Sequence, residues 1–235
     1  YIGQLLCSCH LYSGDRMTKF QSDLIGFEKD VDEYAPNLHE AIHTASMNAD
    51  SEPDFRQLIR GDIESVLSEF NLNFDYVDTK IGDITREDVR NELSEQGLEV
   101  DQLPCDEEDL KEGGVHPDAV INSCVLDYKD PGALSSESRR ESAVGQIISY
   151  MIKTAEVQNR PVSDTVGVLL DGEKFIFVHG DDFSQIEQRY VNEESAQEFA
   201  ALLVGQWTAL TANRLTSDFG ADKPLSSDVV DALFE

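Results

Sequence analysis

Residues 116–129 read HPDAVINSCVLDYK, a stretch in which two short apolar runs, AVI and CVL, stand on either side of Asn122 and Ser123. Such a pattern indicates two β-strands joined as a hairpin, or one long bent strand. Because side chains alternate along a strand, Asp127 and Lys129 are expected to project from the same face. The stretch therefore predicts a strand pair with charged residues at one end.

Two helices are predicted on either side of this stretch. The earlier helix runs from about Asp54 to Phe70, because its apolar residues recur at helical spacing after a capping signal at Ser51. The later helix begins at the capping box Ser138-Arg-Arg-Glu141. Its apolar face consists of Val144, Ile147, Ile148, Met151 and Ile152.

The remaining segments add strands and helices to this plan. Asp171-Gly172 separates two apolar runs and predicts a second hairpin. Residues 83–112 are very acidic, and their cluster CDEED at 105–109 predicts a solvated loop. Helical spacing is also present in residues 18–45 and 195–212. We therefore predict an α/β (α+β) fold with a mixed central sheet flanked by helices.

Three regions are predicted along the 235 residues of the chain. Residues 1–50 form an N-terminal segment that is helical after about residue 17, residues 51–190 form the core, and residues 191–235 form a C-terminal helical extension. Residues 1–16 carry little charge in a chain that is otherwise full of acids, so Met17 is a candidate natural start.

The charge of the chain is extreme. There are 47 acidic and 18 basic residues, which gives a formal net charge of −29. Because the acidic excess is spread along the whole sequence, it favours a surface adapted to high salt over a local repulsive surface. In strong salt, electrostatic attraction between a protein and phosphates is screened in any case. The acidity of the chain therefore argues less strongly against a nucleic-acid partner than it would at low salt.

Cysteine usage and apolar run length indicate the compartment. The apolar runs end before the roughly 20 residues that a membrane helix needs, so no membrane partner is expected. Cys7, Cys9, Cys105 and Cys124 do not form the paired pattern of a zinc site. Free thiols in a reducing cytoplasm are the favoured interpretation.

Two carboxylates and an ammonium group are expected to meet at the ends of the predicted strand pair. Asp118 starts the first strand, and Asp127 and Lys129 end the second. Carboxylate oxygens suit Mg²⁺ or Mn²⁺, either of which lowers the pKa of a bound water and neutralises charge on a phosphate. The lysine can orient that water and stabilise the oxyanion. Alone, such a triplet is common, and it can also be a set of surface charges flanking an ordinary strand.

In this context the stretch resembles the PD-(D/E)XK nuclease superfamily. Pro117-Asp118 matches the PD element, and Asp127-Tyr128-Lys129 matches (D/E)XK. Gln146 and Tyr150 on the next helix resemble the QxxxY motif of the RecB-like branch. The string KDPGALS at 129–135 is similar to the one that follows the lysine in N-terminal nuclease domains of large restriction–modification enzymes.

The resemblance implies a restriction-endonuclease-like core and a Mg²⁺- or Mn²⁺-dependent endonuclease that cleaves DNA. The implied catalytic residues are Asp118, Asp127, Lys129, Gln146 and Glu52. Asp118, Asp127 and Tyr128 are the implied metal ligands, and Tyr150 is implied to contact the nucleic acid. For the upstream acid, Glu52 in the ExxxR-like string EPDFR is favoured over Glu64.

The partner implied by the resemblance is DNA in a restriction–modification or phage-defence system, with a methyltransferase or specificity module in the same or another chain. Residues 113–160 contain six acids and five bases, so their charge is far less negative than that of the chain. Arg139, Arg140 and Lys153 are therefore predicted to face DNA, with a solvated helix face as the alternative. RNA as the substrate and a catalytically silent nuclease-like fold for binding or assembly remain open.

Overall fold

The structure is a computed structural model that describes residues 34–70 and 72–204. The predictions for residues 1–33, with Met17, Cys7 and Cys9, and for residues 205–235 lie outside the described residues. The described helices are α1 (Ala35–Asn48), α2 (Glu52–Glu69), α3 (Arg86–Glu95), α4 (Glu137–Gln158) and α5 (Glu193–Leu203). None of them combines the length and the apolar character that crossing a bilayer requires.

The strands form one mixed sheet and one small ribbon. They are β1 (Tyr76–Val77), β2 (Gly82–Ile84), β3 (Gly113–Val115), β4 (Ala119–Ile121), β5 (Cys124–Tyr128), β6 (Val166–Leu170), β7 (Lys174–His179) and β8 (Ile186–Tyr190). The six-stranded sheet has the order β1-β4-β5-β6-β7-β8, and β2 pairs with β3 in the ribbon. Within the six-stranded sheet only β5 and β6 pair in parallel, and α4 connects them.

Helices pack on both faces of this sheet, which confirms the predicted mixed sheet flanked by helices. Alternation along β5 sends Leu126 into a hydrophobic cluster with α1, α2 and α5, and sends Val125 into a second cluster with α3 and α4. α1 lies before the predicted core boundary at residue 51, and α5 lies after the one at residue 190. Both helices nevertheless belong to the first cluster, together with α2 from within the predicted core. The six-stranded sheet therefore has two apolar faces.

The two predicted hairpins are present. β4 and β5 pair antiparallel with Ile121 opposite Cys124, which decides between the hairpin and the bent strand. Asn122 in the turn has a φ of 54°, a left-handed conformation that asparagine tolerates better than most residues. β6 and β7 form the second antiparallel pair around Asp171-Gly172.

The predicted capping box at the start of α4 is wrong. The helix begins at Glu137 after the N-cap residue Ser136, and no side-chain cap hydrogen bond is formed there. Ser138 already lies in the first helical turn, because the short 3₁₀ turn Ala133–Ser135 leads directly into the helix. The predicted apolar face of α4 is confirmed, since its five residues are buried.

The acidic segment is more ordered than predicted. It contains α3, whose N-terminus is closed by a capping box between Thr85 and Asp88. Cys105 is buried and the turn Glu107–Asp109 packs on α4, so the prediction of a loop at 105–109 is wrong, whereas Asp106 and Glu108 are exposed to solvent as predicted. A Cβ atom at Gly145 of α4 would lie 2.7 Å from the backbone of Asp109, so the glycine permits this contact.

Candidate active site

The two carboxylates predicted to lie together are neighbours across the first hairpin. Ala119 pairs with Leu126, so one step further along the register Asp118 lies opposite Asp127. Asp118 is 8% exposed and Asp127 is 5% exposed, so both charges are nearly removed from water. Burial of this kind is unfavourable unless a cation or hydrogen-bond donors compensate it.

Lys129 supplies the positive charge nearest to Asp127. Its backbone N–H donates to the carbonyl oxygen of Leu170 at 2.9 Å, which holds it beside the end of β6. Its Nζ atom forms an ion pair with Oδ2 of Asp127 and donates to Oε1 of Gln146 at 3.0 Å. Lys129 lies one residue past the end of β5, and its ion pair shows that it projects to the same side as Asp127, as expected.

Gln146 and Tyr150 extend this set of contacts along α4. Nε2 of Gln146 donates to the hydroxyl oxygen of Tyr150 at 2.8 Å, one helical turn further on. The backbone of His116 also hydrogen-bonds this hydroxyl group. Burial, followed by the nearby Asp127 carboxylate, raises the pKa of Tyr150 to about 12, so the phenol is neutral. One continuous set of contacts therefore joins Asp127, Lys129, Gln146 and Tyr150.

The electrostatics of Asp127 are unusual for a carboxylate. Its pKa is raised to about 7, mainly by burial and also by the Asp118 and Glu52 carboxylates, against the opposing effect of Lys129. Its Oδ2 atom is buried and, among the described residues, has the ion pair with Lys129 but no well-aligned hydrogen-bond donor. An additional cation at this carboxylate would therefore be favourable.

Asp118 is held from two sides. The backbone N–H of Tyr128 donates to its Oδ2 atom at 2.7 Å, and Nη1 of Arg56 donates to its Oδ1 atom at 2.6 Å. The same Arg56 atom also contacts Asp78. The role of Arg56 is not evident from the sequence, although its place four residues after Glu52 puts both on one face of α2.

The structure distinguishes between the two candidates for the upstream acid. Burial and the neighbouring Asp118 carboxylate raise the pKa of Glu52, and Lys129 acts on the same group in the opposite direction. Glu52 therefore lies within electrostatic reach of the site. Glu64 is 48% exposed and pairs with Arg60 at 2.7 Å on the solvent side of α2. The preference for Glu52 is supported by this placement.

The donors present fit a Mg²⁺ or Mn²⁺ ion that is held by few protein ligands. Within residues 34–70 and 72–204, no three His, Cys, Asp or Glu side chains come close enough to hold a metal among themselves. Mg²⁺ usually retains several waters and takes only one or two carboxylates, which Asp118 and Asp127 provide. The ring of Tyr128 packs edge-on against Phe55 in the hydrophobic cluster, so only its backbone carbonyl oxygen is available as a ligand.

The three basic residues predicted to face DNA are not brought together. Arg139 is exposed, whereas Arg140 lines a groove of about 1140 Å³ beside Arg90 and Glu107. Lys153 is 14% exposed on its side chain and pairs with Glu156 at 2.7 Å. At 1.5 Å per residue, Arg140 and Lys153 are about 20 Å apart along α4. Contact of all three with DNA stays a prediction.

A second residue that sequence analysis missed is Asp171, which was identified only as part of a turn. Its carboxylate is fully buried and accepts N–H groups of Leu134, Glu173 and Lys174 at 2.8 to 3.0 Å. Leu134 belongs to the loop that follows Lys129, so its hydrogen bond to Asp171 connects this loop to the β6–β7 hairpin. The only signal in the sequence was an aspartate before glycine, which is common in ordinary turns.

Comparison with known proteins adds no relative. The sequence matches no family model, no curated protein and no solved structure.

Proposed function

We propose that this chain is a Mg²⁺- or Mn²⁺-dependent endonuclease domain of the PD-(D/E)XK type that cleaves DNA phosphodiesters. The observation that carries the proposal is the contact set Asp127–Lys129–Gln146–Tyr150 beside Asp118. It couples the ends of a β-hairpin to the adjoining helix, and its members are the residues of the matching motifs. An ordinary surface ion pair would not need these side chains to be buried together.

Each side chain has a distinct task in this proposal. Asp127 and Gln146 hold the ammonium group of Lys129, which can orient an attacking water and stabilise negative charge on the phosphate. Tyr150 orients Gln146, and Arg56 with the Tyr128 N–H orients Asp118. Preorganised donors of this kind require little rearrangement when charge develops.

The metal would be held by Asp118, Asp127 and the carbonyl oxygen of Tyr128. When bound, it would supply a water of lowered pKa and neutralise phosphate charge. Glu52 stands close enough to add a further carboxylate charge near the same place.

The biological setting is part of the proposal. The resemblance of residues 129–135 to restriction–modification enzymes supports a cytoplasmic role in restriction or phage defence, beside a methyltransferase or specificity module. The net charge of −29 supports activity in strong salt. RNA is the alternative substrate, because the proposed site contacts only a phosphate.

Incubating the protein with a mixed pool of duplex DNA and Mg²⁺ or Mn²⁺ in strong salt tests the proposal. We expect cleavage products that depend on the metal and disappear with a chelator. Calorimetry should show Mn²⁺ binding to the same protein. The absence of both cleavage and metal binding would exclude the enzymatic function.

A catalytically silent nuclease-like fold for binding or assembly is the second candidate. The contacts of Asp118 favour this candidate. Its two carboxylate oxygens already accept hydrogen bonds from Arg56 and from the N–H of Tyr128, so a metal ion would have to compete with these donors. Under this candidate, Mn²⁺ does not displace Arg56, and DNA or a protein partner binds without being cut. The same calorimetric and cleavage measurements separate the two candidates.

A further inference from the structure

β8 forms one edge of the six-stranded sheet. It pairs with β7 on one side, and within the part of the chain that the structure describes no strand pairs with its other side. Its five residues are only partly buried, whereas the opposite edge strand, β1, is two residues long. The open side of an edge strand presents N–H and C=O groups to which another strand can bind. β8 is therefore the longer of the two edges that a partner could extend.

The register of β7 and β8 shows which backbone groups of β8 face outward. The N–H of Val191 donates to the carbonyl oxygen of Glu173 at 2.9 Å, so these residues form a hydrogen-bonded pair. Such pairs alternate with non-hydrogen-bonded pairs along an antiparallel ladder, and the register therefore turns the backbone groups of Glu187 and Arg189 towards β7. The backbone groups of the other three residues point to the open side: Ile186, Gln188 and Tyr190.

The sequence of β8, IEQRY at 186–190, is complementary to itself in antiparallel pairing. A second copy centred on Gln188 brings Glu187 opposite Arg189 on both sides of the centre. These are non-hydrogen-bonded positions, at which opposite side chains lie closest together. Ile186 comes opposite Tyr190, and a β-branched residue opposite an aromatic one is a favourable pair. Every residue of the strand therefore meets a suitable neighbour.

Charge favours this register over the adjacent ones. Pairing centred on Glu187 or on Arg189 would place two like charges directly opposite each other, which is unfavourable. With Gln188 at the centre, an uncharged side chain lies there, and all the outward-facing residues of β8 occupy hydrogen-bonded positions. The Tyr190 carbonyl oxygen, which accepts the hydroxyl group of Ser195 at 2.9 Å, has a second lone pair for this ladder.

The side chains concerned are accessible to a second copy. Tyr190 is 70% exposed, a large fraction for an aromatic residue. Glu187 forms an ion pair with Arg189 within the chain, and the two side chains are nevertheless 42% and 34% exposed, respectively. Arg189 also contacts Glu194 and Glu198 of α5. A guanidinium group has five N–H donors, so Arg189 can contact a further carboxylate in addition to these.

We propose that a second copy of this chain binds to β8 and that the two copies form a symmetric dimer with one continuous sheet. Because both copies use the same strand, the interface closes after two subunits. Backbone hydrogen bonds between the two strands provide affinity, and the opposed side chains of the Glu187–Arg189 and Ile186–Tyr190 pairs fix the register. The contact covers Tyr190 and pairs the open edge.

The dimer keeps the two candidate active sites apart. Seven strand steps separate β5 of one copy from β5 of the other, which is about 34 Å along the sheet at about 4.8 Å per step. Because β8 pairs antiparallel with its counterpart, the two β5 strands run in opposite directions and end at opposite edges of the sheet. Each site therefore contains residues of one copy only, and association can be tested without measuring cleavage.

Sedimentation equilibrium of the whole chain tests the proposal. The measurement is made in about 0.3 M KCl, which screens the repulsion between two molecules of net charge −29 more than it screens charges in direct contact. We expect the mass of the parent to rise from 26.2 kDa to twice this value as its concentration is raised to about 100 µM.

Variants of β8 locate the contact. Glu187→Arg sets an arginine opposite Arg189 at both charged pairs and should weaken association at least about tenfold. Adding Arg189→Glu to this variant restores opposite charges and should restore association. Gln188→Pro removes the central outward-facing N–H, which takes no part in pairing with β7, and should abolish association while the fold is kept. Glu95→Arg makes the same change of charge at an exposed position of α3 and is the control.

A parent that stays monomeric at about 100 µM would overturn the proposal. Association of Glu187→Arg at the parental level would also overturn it, because the two copies would then meet elsewhere, and so would an equal weakening by Glu95→Arg. Circular dichroism shows whether each variant is folded. If the variant with exchanged charges does not fold, Gln188→Pro decides, because it alters no charge. A folded Gln188→Pro that still dimerises would contradict the contact, and one that is monomeric would support it.

Discussion

At the level of single residues, Asp127 couples stability to pH. Burial and two neighbouring carboxylates raise its pKa from an ordinary value of 3.8 to about 7. Between pH 4 and pH 7 the unfolded chain has therefore released a proton that the folded chain retains. Because the folded state binds this extra proton, its stability relative to the unfolded state falls as the pH rises through this range. The loss is complete above about pH 8.

Asp127→Asn should remove this penalty. In the absence of metal, the free energy of unfolding of the variant minus that of the parent should rise by about 2 to 4 kcal/mol from pH 4 to pH 7. Above about pH 8 this difference should stay constant. Urea unfolding at a series of pH values measures the difference. Asp62→Asn on the exposed face of α2 is the control and should show no such trend. A relative stability that falls with pH would contradict the assigned environment of Asp127.

At the level of secondary-structure elements, the loop after β5 depends on the β6–β7 hairpin. Asp171 accepts three backbone N–H groups, and one of them, from Leu134, lies in that loop. Hydrogen bonds to a charged group typically contribute about 1.5 to 3 kcal/mol each. This carboxylate therefore stabilises the hairpin and also helps to place Lys129.

Asp171→Asn keeps the shape of the side chain but replaces one acceptor oxygen with an amide. We expect the free energy of unfolding to fall by about 2 to 3 kcal/mol, together with slower metal-dependent cleavage at temperatures where the variant is folded. Thermal unfolding and single-turnover cleavage measure the two effects. Asp181→Asn, an exposed neighbour after β7, should change neither. Cleavage at the parental rate would show that the loop does not depend on Asp171.

The elements near the site were predictable because their signals are local. The alternation of apolar and polar residues placed Asp127 and Lys129 on one strand face, and a spacing of four placed Gln146 beside Tyr150. By contrast, β8 has the sequence IEQRY without clear alternation, and its pairing with β7 depends on context. The capping box of α3 at Thr85 and Asp88 is present in the sequence, but the many acids of residues 83–112 obscured it and no helix was predicted there.

The roles of Arg56 and Asp171 could not have been predicted in the same way. The partners of Arg56, Asp78 and Asp118, lie on segments that come together only in the folded sheet. The buried acceptor role of Asp171 depends on Leu134, which is 37 residues earlier. Neither long-range contact has a periodic pattern in the sequence, so it can be identified only from the fold.

At the level of the whole molecule, the net charge of −29 controls stability through self-repulsion. Raising the KCl concentration shortens the distance over which charges repel one another from about 10 Å at 0.1 M to about 3 Å at 1 M. We therefore expect the melting temperature at pH 7.5 to rise by several degrees over this range.

Differential scanning calorimetry at pH 7.5 and at pH 4.2 measures this effect. The sequence pI is about 4.2, so the net charge nearly vanishes there and the rise should become much smaller. A melting temperature that is independent of KCl at pH 7.5 would contradict the proposed adaptation to high salt. An equal rise at both pH values would show that the salt does not act through net charge.

The central claim is that the contact set around Lys129 forms a phosphodiester-cleaving site. Single-turnover cleavage of duplex DNA, measured together with Mn²⁺ binding on Lys129→Ala and Asp127→Ala, tests it most directly. Lys129→Ala should keep Mn²⁺ binding and lose cleavage by about 100-fold or more, because the ammonium group acts on the water and the phosphate and does not bind the metal. Asp127→Ala should lose both, because it removes a ligand. Cleavage by Lys129→Ala at the parental rate would contradict the account.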